Sequence, residues 1–373
     1  MFSKVSLLRN LLGKLFILGL YVVIFATFLY VPTIIEFFWP SKTINVCVFA
    51  ETFCPAAIKA FEEKTGIAVN LTYAEIDEQV YAKFRVNEGE GYDVIGISDY
   101  MVNILSSQNM LQPLDHNTIP NKSQCDQRLM NRNFDKANRY SMPHKWYTYG
   151  IVYDREFFNI PPNEVSLRII FTSPEELLAQ GVVSSPFRLC MLDDGRDATF
   201  MTAIYLFGRV DGLSDSEYNN IQQVLIKQKK WVEAYTVHSA QYFLTAGVVP
   251  IALMSSNYMH KLLTNTDRFT FAIPKEGSML IIENLAIPRC STKVQLAQQF
   301  INFMLSDEIA LLNSKAYGYN SANKQANMAV SSAYVLNPHL VPDDATFDRL
   351  FIPLLPAPMR KIVEDLWLAV SFA

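Results

Sequence analysis

The chain has 373 residues, half of them apolar and 18% charged. That composition excludes an intrinsically disordered protein and leaves room for one large domain or two lobes. Its 32 basic residues are outnumbered by 36 acidic ones, so it lacks the basic surface that tracks phosphates and nucleic acid is excluded as an expected partner. With 14 glycines and no heptad or longer internal period, fibres, coiled coils and solenoids are excluded as well.

The first predicted element is apolar. Leu15 to Ile35 run without a charge, and at 1.5 Å per residue a helix of that length reaches roughly 30 Å, the thickness of a hydrocarbon core. Lys4, Arg9 and Lys14 precede it, Pro32 falls near its far end and Trp39 suits the interface. The positive-inside rule then puts the N-terminus in the cytoplasm and everything after about residue 40 outside. Residues 1–42 therefore read as a membrane anchor, with a cleaved secretory signal as the rival. Such a signal has a shorter apolar core and a small-residue cleavage site, and neither is found here. Cys47 sits within an apolar run and not in a lipobox. The five cysteines (Cys47, Cys54, Cys125, Cys190 and Cys290) match neither a disulfide framework nor a zinc spacing, and Cys47 and Cys190 read as buried thiols.

Beyond residue 42, strand and helix signals alternate. Ile44–Phe49 reads as a buried strand. Pro55 opens a helix that stops before Gly66, Ile67–Tyr73 alternates as a strand, and Asp77–Glu88 is helical. Asp93–Ile97 is a short buried strand, and a helix follows from about Tyr100. This β-α-β-α-β-α order predicts a parallel sheet covered by helices. After Gly150 the pattern restarts, with capping boxes at Ser173–Glu176 and Ser214–Glu217. Strands are expected at Phe187–Met191, Val248–Met254, Phe269–Ile273 and Asn284–Ile287. Helices are expected at Val294–Leu305 and Asp307–Ser314, with Ser306 as a cap, and near Arg360–Val370. The prediction is an α/β body of two lobes, each an open, mostly parallel sheet flanked by helices, preceded by one transmembrane helix. Residues 43–150 plus about 281–325 form lobe 1, and 151–280 plus about 326–373 form lobe 2. Ligands of open α/β sheets bind beyond the strand C-termini, in the crevice.

Four of five strand ends carry acids: Glu51, Asp99, Asp194 with Asp197, and Glu283. Tyr100, Ser98 and the Ser255–Tyr258 turn lie nearby in sequence. Singly, an acid after a strand caps the next helix; jointly, they describe an acidic, aromatic-edged slot for an organic cation. Enzyme signals are missing: no HExxH, GxSxG, P-loop or GxGxxG occurs, and the histidines have no ligand spacing. No cofactor or metal is expected, and the chain reads as a receptor, not an enzyme.

The ordered landmarks FEEKTGIAV, YAKF, YDVIGISDYMVNIL, YSMPHKW, LDDGRD, IPKEG, ENLAIP, FINFML and GYNSAN resemble those of the periplasmic spermidine/putrescine-binding proteins of bacterial polyamine ABC importers. These belong to the family 1 extracellular solute-binding proteins. The resemblance implies a clamp that closes on its ligand by hinge bending and hands it to ABC permease subunits. It also implies ligand-binding roles for Ser98 and Tyr100 after the third strand, and for Asp194 with the shorter acid Asp197 in place of a DDARE motif. By the same likeness Glu283 stands for an aspartate, Tyr319 for the tyrosine of a GYPTPN-like turn, and Phe53 for a tyrosine. Two ligand-sandwiching tryptophans of the family fall at Met254 and Ile281, so charge recognition is kept better than shape recognition.

Burying an ammonium between lobes is costly unless carboxylates pair with it. The expectation is therefore that Asp194 and Asp197 from one lobe and Glu283 from the other neutralise separate ammoniums, while Phe53, Tyr100, Met254 and Tyr319 line the spacer. A receptor for another small solute and a tethered sensor that has lost transport are the alternative readings.

Overall fold

The computed structural model describes residues 13–31 and 42–373, apart from 26, 29, 88, 237, 260–261, 263–267 and 332–339. Two compact units result, Met1–Thr43 and Ile44–Ala373. In the first, residues 13–25 are helical, and Phe16, Ile17, Leu20, Tyr21, Val22 and Val23, which together circle the helix, are each more than half exposed. Part of the expected span Leu15–Ile35 lies outside the described residues. Among the described residues, no helix is long and apolar enough to cross a membrane.

The second unit is built on one sheet. Its strands are β1 (Thr43–Phe49), β2 (Ala68–Ala74), β3 (Val94–Ser98), β4 (Ser141–Asp154), β5 (Leu189–Met191), β6 (Val232–Tyr235), β7 (Ile251–Ser255), β8 (Phe269–Ala272), β9 (Ser278–Ala286), β10 (Asn320–Ser321) and β11 (Leu350–Phe351). Their order is β2-β1-β3-β9-β4-β7-β5-β6, with β8 and β10 also on β4 and β11 on β9. The expected parallel sheet is corrected here. β1 and β3 are parallel, as are β5 with β6 and β7, but β9 is antiparallel to β3 and β4, and β4 is antiparallel to β7 and β8. The cause is β4, 14 residues long and almost wholly buried. A strand buried on both faces shows no polar alternation, so its sequence hides it. Residues 141–148 of β4 pair with β9, and residues 149–154 pair with β7 and β8. One continuous strand thus serves both wings of the sheet.

Among the described residues, eight longer helices flank these strands: α1 (Pro55–Thr65), α2 (Asp77–Asn87), α3 (Asp99–Ser107), α4 (Gly195–Phe207), α5 (Asp215–Gln228), α6 (Val294–Met304), α7 (Asp307–Tyr317) and α8 (Ala357–Phe372). α1 begins with Pro55 in its first turn and stops at Gly66, whose φ of 67° and N–H bond to the Glu62 carbonyl close the last turn. Ser214 and Glu217 form the expected reciprocal capping box at α5. Ser173 caps its short helix by accepting from the Glu176 N–H. Ser306 occupies the N-cap of α7, but its hydroxyl bonds the Phe303 carbonyl and caps nothing. The core has three apolar clusters. One joins Val46, Phe61, Phe300 and Ile301, another joins Ile151, Phe200, Leu225 and Leu366, and the third reaches across both wings from Ile97 and Trp146 to Ala252 and Phe271. Cys47, Cys54, Cys125 and Cys190 are buried thiols.

Candidate functional site

The site begins with a row of side chains across the sheet. Ser98 is opposite Glu283, Glu283 is opposite Lys145, and Lys145 is opposite Ser321. Directly opposed residues of antiparallel strands share a face, so these four project together. A β-bulge aims Lys145 there: the register shifts between Pro143 and Lys145, where proline has no N–H to give the ladder. Trp146, next along, turns to the other face and donates to the Ser321 carbonyl at 3.0 Å. Glu283 lies inside β9, not ahead of it as the strand expectation had it.

Lys145 Nζ stands 3.1 Å from Glu283 Oε2, both side chains being less than a tenth exposed, and 5.3 Å from the centre of the Tyr319 ring. Burial raises the Glu283 pKa, against the pull of Lys145. The Tyr319 hydroxyl donates to the Thr52 carbonyl at 3.0 Å and lies 3.3 Å from His144 Nε2. Burial, helped by the Lys145 charge, lowers the His144 pKa to about 3. The Phe53 ring packs on His144 and Phe300, at 4.8 and 5.4 Å between centres.

Asp77 and Glu78 open α2 beside this row. Asp77 accepts from the Ser98 hydroxyl and, at 3.0 Å, from its N–H, while Glu78 accepts from the Tyr100 hydroxyl at 2.8 Å. Burial lifts Asp77 to about 7 even though the Ser98 bonds oppose it. Tyr147 is partly exposed, and burial, then the nearby charges of Glu283, Asp197 and Asp77, hold its phenol well above its ordinary value.

The other wing supplies the N-terminus of α4. Asp194 is exposed and caps that helix by accepting from the Asp197 N–H at 2.9 Å. Asp197 is buried, accepts from the Tyr149 hydroxyl, and meets Arg196 Nη1 at 3.0 Å. The same guanidinium reaches Asp99 Oδ1 of α3 at 3.7 Å and lies 4.1 Å from the Tyr100 ring centre. Asp99 also accepts from the Ile282 N–H at 2.8 Å. Burial raises Asp99 to about 6 against the pull of Arg196, and raises Asp197 to about 7 with help from Asp194. Burial alone would lower Arg196, but Asp197 and Asp99 outweigh it and hold its pKa above the usual value. Gly195 admits this arrangement because a Cβ there would meet Trp367 of α8 at about 2.5 Å.

Of the nine expected site residues, Ser98, Tyr100, Asp197, Glu283 and Tyr319 join this network, and Phe53 backs it through His144. Asp194 is spent on the helix cap. Met254 and Ile281 are core residues, opposite Gly150 and Tyr147 in their strands. Asp197 and Glu283, each expected to meet an ammonium of the ligand, each face a cation of the chain as well, Arg196 and Lys145. Sequence reasoning missed Asp77, Glu78, His144, Lys145, Tyr147 and Tyr149. The only signal for the last four was the motif YSMPHKW and its continuation, whose strand was not recognised.

Comparison with known proteins bears on this geometry. The chain is 26% identical over 304 residues to the spermidine/putrescine-binding periplasmic protein 1 of Haemophilus influenzae, covering 81% of each. It is 24% identical over 347 residues to the putrescine/agmatine-binding protein of Pseudomonas aeruginosa, covering 89% of this chain and 93% of that one. The solved spermidine/putrescine ABC transporter substrate-binding protein PotD from Streptococcus pneumoniae shares the fold, with a TM-score of 0.75 at 23% identity over 89% of this chain and 99% of the other. Residues 56–340 match the family described as bacterial extracellular solute-binding protein, and the chain belongs to that family.

Proposed function

We propose that the chain is the periplasmic substrate-binding component of an ABC importer for a small linear amine of the polyamine class, and that it is not an enzyme. The observation that carries this reading is the gathering of Asp77, Asp99, Asp197 and Glu283 from four separate elements around Tyr100 and Tyr147. Buried carboxylates raise one another's pKa and call for a cation, and tyrosine faces suit an ammonium or the methylenes beside it. The names of the related proteins, which include spermidine, putrescine and agmatine binders, support the same substrate class.

The lobes in this reading are 43–150 with about 281–325, and 151–280 with about 326–373. β4 and β9 act as the hinge strands, a division supported by the change of β4 partners near Thr148. Ser98, Tyr100, Asp197, Glu283 and Tyr319 contact the ligand, Asp194 adds charge at the rim, and Phe53, Met254 and Ile281 support the walls from behind. Residues 15–35 anchor the protein in the inner membrane, as the all-round apolar surface of the N-terminal helix suggests. An anchored receptor works beside its permease at high effective concentration.

Titration calorimetry of the full chain in detergent with putrescine and with spermidine tests the function. A saturable heat with a micromolar dissociation constant for at least one amine is expected. No saturable heat with either up to millimolar concentration would remove the amine assignment.

A further inference from the structure

Two places in the network combine a carboxylate with an aromatic face, the pairing that holds an alkylammonium. At the first, two carboxylates, Asp99 and Asp197, contact one guanidinium, that of Arg196 over Tyr100, with the charge of Arg132 also acting on Asp99. At the second, Glu283 meets one ammonium, that of Lys145, which also stands over Tyr319. The second place is balanced one to one and both partners are buried. Lys145 there makes the two contacts a ligand's ammonium would make. Asp77, behind Ser98, has an oxygen taken by the Ser98 hydroxyl and the other by its N–H.

We propose that Lys145 is a specificity-determining residue that fills the Glu283 subsite with the chain's own ammonium, so that the preferred ligand is cationic at one end only. The class is an alkylamine whose other end is neutral and polar, such as an amino alcohol or a mono-acylated diamine. The ammonium of that ligand goes to the Asp99–Asp197 side, and its neutral end lies against the Lys145–Glu283 pair. A diamine would bring a second ammonium up to Lys145, and buried like charges in contact repel strongly. This inference rests on the amine-receptor reading above and narrows it.

The test compares putrescine with 4-aminobutan-1-ol, a probe of the same length in which one ammonium is replaced by a hydroxyl. Both are titrated into the full chain and into the Lys145→Met and Lys145→Gln variants. The expected result is that the unmodified chain binds the amino alcohol about tenfold more tightly than putrescine, and that either variant moves the ratio at least tenfold toward putrescine. Adding Glu283→Gln to Lys145→Met should return the ratio toward that of the unmodified chain. Tighter binding of putrescine by the unmodified chain overturns the proposal whether or not any variant folds. So does a folded Lys145 variant that weakens both ligands equally, because a purely structural lysine would do that. If putrescine binds and the amino alcohol does not, this inference fails and the amine-receptor reading stands. If no amine binds, both fall.

Discussion

At the residue scale, the acids of the site are distinguished by burial. Asp77 and Asp197, lifted to about 7, and Asp99, lifted to about 6, all hold protons in the folded chain at pH values where an unfolded carboxylate has lost them. A bound ammonium favours their charged forms. Amine affinity should therefore rise as pH increases from about 5 to 8, with protons released on binding near pH 6–7. Calorimetry at pH 6.5 in two buffers of different ionisation enthalpy measures that release; identical heats would contradict it. The same raised values mean that these acids add less to stability as pH rises from about 4 to 7. His144, held neutral with a pKa of about 3, works in the opposite sense and favours the folded state as pH rises toward 6.5. Gly195 supports a second prediction. Its backbone sits where a Cβ would meet the Trp367 side chain, so Gly195→Ala should lower stability by about 1–3 kcal/mol. Chemical denaturation checks this, and an unchanged midpoint would contradict it. The motif LDDGRD was legible as chemistry, but the reason for its glycine was not, because the tryptophan comes from the far end of the chain.

At the scale of the element, local signals worked where the partner is near in sequence. The ends of α1 and the cap of α5 follow from the chemistry of a few adjacent residues, because orphan N–H groups are satisfied within one turn. Ser214 and Ser306 look equivalent in sequence, yet only Ser214 accepts from its helix. Ser214→Ala should therefore cost about 1 kcal/mol, whereas Ser306→Ala should have a clearly smaller effect. Comparison of their urea midpoints decides it, and equal losses would mean that both are caps. β4 is the counter-example. Its burial pattern leaves no alternation to read, and it contains Pro143, which argues against a central strand until the bulge is seen to house it. With β4 unread, the bulge that turns Lys145 toward Glu283 was out of reach.

At the scale of the whole molecule, the Asp99–Arg196–Asp197 group ties α3 to α4, two elements far apart in the chain. Removing a buried cation leaves uncompensated charge, so Arg196→Met should destabilise the chain by about 3–5 kcal/mol. The loss should be smaller at pH 5, where Asp99 and Asp197 are protonated. A thermal melt at pH 5 and pH 8 separates the outcomes, and a pH-independent loss would count against the charge argument. The N-terminal helix makes a separate prediction. In a carbonate wash the chain should stay with the membrane pellet, and deletion of residues 1–42 should release it; a washed-off chain starting beyond residue 35 would instead mean a cleaved signal.

Read alone, the sequence determined whatever depends on neighbours along the chain. This includes the apolar run ahead of the body, the helices with their proline and glycine ends, the α/β class, and five residues of the eventual network, namely Ser98, Tyr100, Asp197, Glu283 and Tyr319. Only the tertiary structure decided that β4 runs through both wings with β9 antiparallel to it, that Met254 and Ile281 belong to the core, and that Lys145 and Arg196 already answer three of the acids. The reason is physical: a carboxylate's partner is whichever charge the fold brings within a few ångströms, and spacing along the chain carries no record of that.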